Sequence, residues 1–187
     1  MSASVAVPTG RPRLVRRATL VSLLSVVALA LVGGLLTSAG DGSGGVAGTR
    51  SAPRFELADV NDPATLVTLP DRTPTVLYFF ASWCVPCRRE MPIVQELFET
   101  RHDVAIVGVN HQDHRSDARE FMATHGATFP AAHDPGASVA LDYGLRGLPA
   151  TVFIDGDGRI AATVHGEVDR DELEARIDDL VLQEREL

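Results

Sequence analysis

Cys84 and Cys87 are the only cysteines in the chain, and they sit in the stretch Phe80 to Pro92, FASWCVPCRREMP. A C-x-x-C pair has three chemical uses: half of a metal clip, a structural staple, or a dithiol that gives and takes an electron pair. A structural zinc site takes four ligands. The six histidines (His102, His111, His114, His125, His133 and His165) include no H-x3-H spacing, and there is no second C-x-x-C. His111 and His114 read as loop residues rather than ligands. A purely structural disulfide at this spacing closes so small a loop that it restrains the unfolded chain little. The redox reading depends on which elements hold the two thiols.

Those elements can be read from the flanks. TVLYFFAS, Thr75 to Ser82, is apolar almost throughout and rich in aromatic and β-branched residues, as a buried central strand requires. From Val85 to Thr100 the period becomes helical, with Met91, Val94, Leu97 and Phe98 on one face. Cys84 therefore stands where a strand ends and a helix opens. The first N–H groups of a helix are unpaired and the positive end of its dipole faces outward, which favours a thiolate at Cys84. Pro86 falls near the first turn, where its missing N–H costs nothing. Cys87 lies one turn further along the same face, and Arg88 and Arg89 add positive charge. This places Cys84 as the attacking thiol and Cys87 as the resolving one.

The remaining pattern supplies a sheet around that junction. DVAIVGVN reads as a second buried strand, and SDAREFMATHG as a helix capped by Ser116 and stopped by Gly126. ASVALDYG suggests a short helix, and ATVFIDGDGRIAATVHG a hairpin turning at Gly156 to Gly158. DRDELEARIDDLVLQ closes the chain as an amphipathic helix begun at Asp169. Upstream, FELADVNDPATLVTL reads as a weaker extra hairpin. The order β-α-β-α-β-β-α predicts the α/β class, a central sheet with helices on its faces.

Location follows from the N-terminus. Arg11, Arg13, Arg16 and Arg17 precede a run without charge from Ala18 to Gly40. Such a run can cross a hydrocarbon core of about 30 Å, and the basic flank keeps the N-terminus cytoplasmic. A cleaved signal peptide is the alternative, with Thr37-Ser38-Ala39 as the cleavage site. The apolar run is longer than a usual signal core, which favours an uncleaved anchor. No cysteine directly follows the run, so a lipoprotein anchor is excluded. The expected organisation is a cytoplasmic basic tail over 1–17, a transmembrane signal-anchor helix over 18–37, a Gly-rich linker over 38–54 and an extracytoplasmic domain over 55–187. Without its four N-terminal arginines the chain keeps 13 of its 17 basic residues against all 25 acids, and it has no lysine. That acidic balance argues against nucleic acid as a partner.

WCVPC after an apolar strand, Pro92 further along, and GLPATVFID on a later strand resemble the thioredoxin fold. More narrowly, FFASWCVPCRREMP, VGVNHQD and DYGLRGLPATVFIDGDGRI resemble the membrane-anchored, extracytoplasmic TlpA/ResA/CcmG-like thiol-disulfide oxidoreductases. The resemblance runs from Phe55 to about Leu182. It implies that Pro149 is cis and lies against the disulfide, and that Leu148 offers its backbone to a substrate strand. It makes Glu90, one turn beyond Cys87, the active-site acid, which a carboxylate near a thiol pair can serve as proton acceptor. Thioredoxins carry a buried aspartate six residues before the first cysteine, where this chain has Tyr78. Trp83 and Pro86 complete the expected substrate-binding residues, with Trp83 covering the disulfide.

The implied activity is reduction of protein disulfides, with apocytochrome c among the substrates. Cys84 attacks and Cys87 resolves, and no cofactor is needed beyond the Cys84–Cys87 disulfide itself. The implied partners are protein disulfides or dithiols, a membrane dithiol donor of the CcdA/DsbD type, and the bilayer through the N-terminal helix. Two alternatives stand beside it: an oxidase of secreted proteins on the same fold, and a copper-binding assembly module using the two thiols and a histidine.

Overall fold

A computed structural model describes residues 50–185 of the 187-residue chain. The expected tail and anchor, and most of the linker, lie outside the described residues. Among the described residues no helix is long and apolar enough to cross a membrane.

The elements in order are β1 (Glu56–Ala58), β2 (Leu66–Thr68), β3 (Thr75–Phe80), α1 (Cys87–Thr100), β4 (Ala105–His111), α2 (Arg115–Thr124), β5 (Ala131–Asp134), α3 (Ser138–Asp142), β6 (Ala150–Ile154), β7 (Ile160–His165) and α4 (Arg170–Arg185). The main sheet runs β5-β4-β3-β6-β7. β3 is parallel to β4 and antiparallel to β6, so it is the central strand. All six of its residues are buried, which explains the unbroken apolar run: a strand covered on both faces has no polar side to show.

Alternation along β3 sorts the core into two layers. Val76, Tyr78 and Phe80 point into a cluster with Met91, Val94 and Leu97 of α1, Phe121 and Met122 of α2, and Leu173, Ile177 and Leu180 of α4. Leu77 and Phe79 point the other way, to Val139 and Ala140 of α3 and to Val67 and Leu69 around β2. The first layer brings aromatic rings close to the backbone of β4. A Cβ at Gly108 would stand 2.8 Å from Phe129 and 3.0 Å from Phe80, so only glycine fits there without moving a ring.

The sequence pattern missed β5. Ala-Ala-His-Asp has no β-branched residue and only four positions, and it becomes a strand by pairing in parallel with β4 at the sheet edge. The predicted cap of α2 also moves. Its N-cap is His114, which makes no side-chain cap, while the Ser116 hydroxyl bonds Asp117 Oδ1 at 2.9 Å inside the first turn. α1 begins at Cys87 rather than Val85, with Pro86 as N-cap. Two predicted ends stand as read: Gly126 follows α2 at φ +69°, and Asp169 Oδ1 accepts the Glu172 N–H at 2.9 Å.

The extra hairpin β1–β2 is antiparallel, and it is joined to the sheet edge where the Asp59 carboxylate accepts the Ala131 N–H at 3.0 Å. Folded contacts begin before Phe55. Ser51 bridges Arg159, Ala52 donates to Gly158 O at 2.8 Å, and the Tyr143 hydroxyl donates to Pro53 O at 3.0 Å. Composition alone assigned residues 50–54 to the linker, since glycine and serine nearby hide how two or three residues can add to a sheet edge.

Candidate active site

β3 delivers the chain to a turn at Ser82 and Trp83, and Cys84 follows. Cys84 and Cys87 form a disulfide with Cα atoms 5.3 Å apart. Their exposures are 4% and 0%, so whichever nucleophile reaches the pair meets Cys84. The Cys87 N–H donates to Cys84 Sγ at 3.3 Å. That bond is the helix N-terminus acting on the outer sulfur, and it strengthens when the sulfur carries charge. Arg89 contributes less positive charge than its position suggested. Its guanidinium is paired with Glu167, with Nε 2.7 Å from Oε1.

The turn before Cys84 is held by a residue that sequence reasoning missed. Asp113 accepts the Ser82 N–H at 2.6 Å and the Ser82 hydroxyl at 2.8 Å. Its Oδ2 also takes the Asn110 side-chain amide at 3.1 Å. The VGVNHQD motif ends on this acid without giving it a role; the parallel pairing of β3 with β4 brings its loop beside Ser82.

Trp83 is 55% exposed. Its indole N–H donates to Gln112 O at 3.1 Å, and its ring meets His111 edge-on with centroids 6.4 Å apart. Trp83, His111, Leu141, Leu145 and Leu148 line an open cleft of about 400 Å³. His111, set aside as a loop residue, is therefore a wall of this cleft at the end of β4. The Leu148–Pro149 bond is cis, and Pro149 O accepts the Gly166 N–H at 2.9 Å. Leu148 is half-buried beside both layers of the core. Pro86, as N-cap of α1, sits between the two cysteines.

Glu90 is the fourth residue of α1 and is 0% exposed. Neither of its oxygens has a hydrogen-bond partner. Burial pushes its carboxyl up from an ordinary 4.5 to about 8; the Val168 N–H pulls back without reaching hydrogen-bond geometry, and the charge of Glu167 adds to the rise. Cys87, three residues earlier, faces the same way on the helix. The arrangement is a disulfide with one sulfur near the surface, and a buried acid on the helix that carries the other. Among the described residues no group of three or more His, Cys, Asp or Glu converges as metal ligands would.

The chain matches the Redoxin family model over residues 47–180. It belongs to that family. Within it, the thiol:disulfide interchange protein HelX of Rhodobacter capsulatus is 36% identical over 132 residues, 70% of this chain and 73% of the relative. ResA, a thiol-disulfide oxidoreductase of Oceanobacillus iheyensis, is 30% identical over 140 residues, 72% of this chain and 73% of ResA. The crystal structure of a thiol:disulfide interchange protein DsbE from Chlorobium tepidum aligns with a TM-score of 0.65 at 29% identity, covering 72% of this chain and 97% of that one. This redoxin is a thioredoxin-like thiol-disulfide oxidoreductase of the TlpA/ResA/CcmG type, built around the Cys84–Cys87 pair.

Proposed function

We propose that this redoxin is a reductase of protein disulfides working outside the cytoplasm, tethered by the apolar run over 18–37. The observation that carries the reading is the unpartnered acid behind Cys87. A resolving thiol must lose a proton before it can attack, and a buried carboxylate that prefers to be protonated is suited to take it. In the forward reaction the Cys84 thiolate attacks a substrate disulfide and one substrate sulfur leaves. Cys87 then passes its proton to Glu90, attacks Cys84 Sγ, and releases the second substrate sulfur as a thiolate. The oxidised protein is left with a disulfide and a protonated Glu90. Reduction by a membrane dithiol of the CcdA/DsbD type returns that proton to Cys87. The Cys84–Cys87 dithiol carries the electron pair, so no cofactor is required. Trp83, Pro86, Leu148 and Pro149 form the surface on which the substrate chain lies, and the C-x-x-C-H segment of apocytochrome c is a substrate of the right chemistry.

One observation favours the oxidase. The Cys87 N–H at 3.3 Å from Cys84 Sγ stabilises a thiolate, hence the reduced form, and that makes a disulfide more oxidising. The reduction potential, measured against glutathione, decides between them. A value below that of glutathione supports the reductase; a value well above it replaces the reductase with the oxidase. For the copper alternative, metal content of the reduced protein is the test, and one bound copper per chain would displace both redox readings. Export is checked by a reporter fused after Leu187 and by recovery in the membrane fraction. A soluble mature form starting near Gly40 would replace the anchor with a signal peptide.

A further inference from the structure

In the layer that holds the disulfide, the Tyr78 hydroxyl and both carboxyl oxygens of Glu90 are buried without a hydrogen-bond partner, as is Thr151 Oγ1 opposite Tyr78 on β6. Tyr78 is 0% exposed on the central strand, and its ring stacks on Phe80 with centroids 5.7 Å apart. It shares its cluster with Cys84, Cys87 and Met91, so its face of β3 packs against the face of α1 that carries Glu90. Leaving a phenol O–H unpaired in the core costs about 1–3 kcal/mol, and phenylalanine would fill the same space without that cost. Thr151 can turn its hydroxyl to donate or accept, whereas an ionised Glu90 can only accept, so of the two orphan hydroxyls the more acidic phenol is the better donor to it. Glu90 in its acid form has a proton and asks little of its surroundings, whereas the carboxylate needs a donor.

We propose that Tyr78 is a positioning residue for Glu90, its hydroxyl donating a hydrogen bond to the carboxylate whenever that group has no proton. The proposal rests on the reading of Glu90 as proton acceptor for Cys87. Tyr78 supplies the donor that makes the carboxylate available at neutral pH, and its bond is released once Cys87 has handed over its proton. The two groups already act on one another, because a charge on Glu90 joins burial in pushing the phenol well above its ordinary 10. The titratable and charged groups facing the pocket are Tyr78 from β3, Cys84 and Cys87, Glu90 and Arg89 from α1, and Glu167 ahead of α4. Arg89 and Glu167 are paired at the surface, and the charge of Glu167 still adds to the rise of Glu90 and Tyr78.

The test is the pH profile of resolution, the release of a preformed mixed disulfide, in full-length protein solubilised in detergent. Tyr78→Phe removes one oxygen. It should leave the oxidised protein as resistant to heat as wild type or more so, raise the inflection of the profile by about one pH unit, and slow resolution about tenfold below it, the effect of losing one bond to a charged group. Glu90→Gln should abolish the inflection, and adding Tyr78→Phe to it should change nothing further. A wild-type profile for Tyr78→Phe beside an altered one for Glu90→Gln overturns the role of Tyr78 alone. An unaltered profile for Glu90→Gln overturns the reading beneath it, and an additive double variant overturns the coupling. Should Tyr78→Phe not fold, 3-fluorotyrosine in the wild-type chain gives a second readout. There are two tyrosines, and Tyr143, bonded to Pro53 O, is the control. The fluorine resonance of Tyr78 should titrate with the inflection and lose that titration in Glu90→Gln; a resonance that stays still overturns the proposal.

Discussion

Asp134 and Glu90 are hidden from water to the same degree, 1% and 0% exposed, in opposite surroundings. Asp134, at the end of β5, accepts the Ser138 N–H at 2.9 Å and hydroxyl at 3.0 Å, the Val139 N–H at 3.0 Å and the Ala140 N–H at 3.3 Å. Asp59, at the same sheet edge, accepts the N–H groups of Asn61, Asp62 and Ala131 at 2.7, 3.1 and 3.0 Å. Glu90 accepts none. An acid that gathers backbone amides fixes a chain segment, because removing it strands several donors at once. An acid that gathers none is kept by something other than stability. The sheet edge uses its carboxylates to build; the disulfide pocket holds one that no hydrogen bond fixes.

The most severe break is at the thiols. Cys84→Ser should abolish turnover, and Cys87→Ser should stop after the first attack and accumulate a mixed disulfide with the substrate protein, visible on non-reducing gels. Trapping by Cys84→Ser instead would reverse the assignment of attacker and resolver, and with it the side of the disulfide on which an acid is useful.

Next in size is the pH dependence of stability. Glu90 holds its proton up to about 8 when folded, against an ordinary 4.5. Between those values the folded state binds more protons than the unfolded one, so stability falls as pH rises from 4.5 through 8 and is level beyond. The full span is on the order of 5 kcal/mol at about 1.36 kcal/mol per pH unit. Glu90→Gln should remove that slope from the oxidised protein while matching wild type at pH 4. Urea denaturation across pH 4 to 9 measures it, and parallel curves would mean that the carboxylate finds a partner or water.

Asp134→Ala tests the other arm. It strands the amides that open α3 and should cost about 2–3 kcal/mol at neutral pH, with the potential of the disulfide unchanged. Loss of stability there with none for Glu90→Gln at pH 7 or below is the pattern that separates a building acid from a working one.

The acid proposed to take the proton was legible in the sequence as a candidate, and the building ones were not. Glu90 follows Cys87 by one helical turn, and helical spacing is visible in a string of letters. β3 was legible too, since a strand buried on both faces writes an unbroken apolar run. Asp113 and Asp134 are recognised by amides that reach them only after strands pair, Ser82 lying 31 residues from Asp113. β5 shares that fate: its four residues carry little preference of their own and take their form from β4. Tyr78 lies between the cases. Its place six residues before Cys84 was conspicuous, yet only the packing of β3 on α1 sets its ring in one layer with Cys87 and Met91, on the helix that carries Glu90.

The smallest expected effect is at Trp83, on the exposed side of the pair. Its indole N–H makes one hydrogen bond, to Gln112 O at 3.1 Å, on a side chain 55% exposed, so the bond is worth about 0.5–1 kcal/mol. Gln112 has φ +46°, and the bond helps hold that residue where its loop borders the cleft. Trp83→Phe keeps an aromatic wall beside His111 and Leu148 and loses only the N–H. Stability should fall by up to that free energy, and KM for a disulfide-containing protein substrate should rise by at most about two- to fivefold as the cleft loosens, while kcat stays at the wild-type value. A fall in kcat with KM unchanged would move Trp83 from the docking surface to the exchange step, joining the exposed side of the disulfide to the chemistry assigned to the buried side.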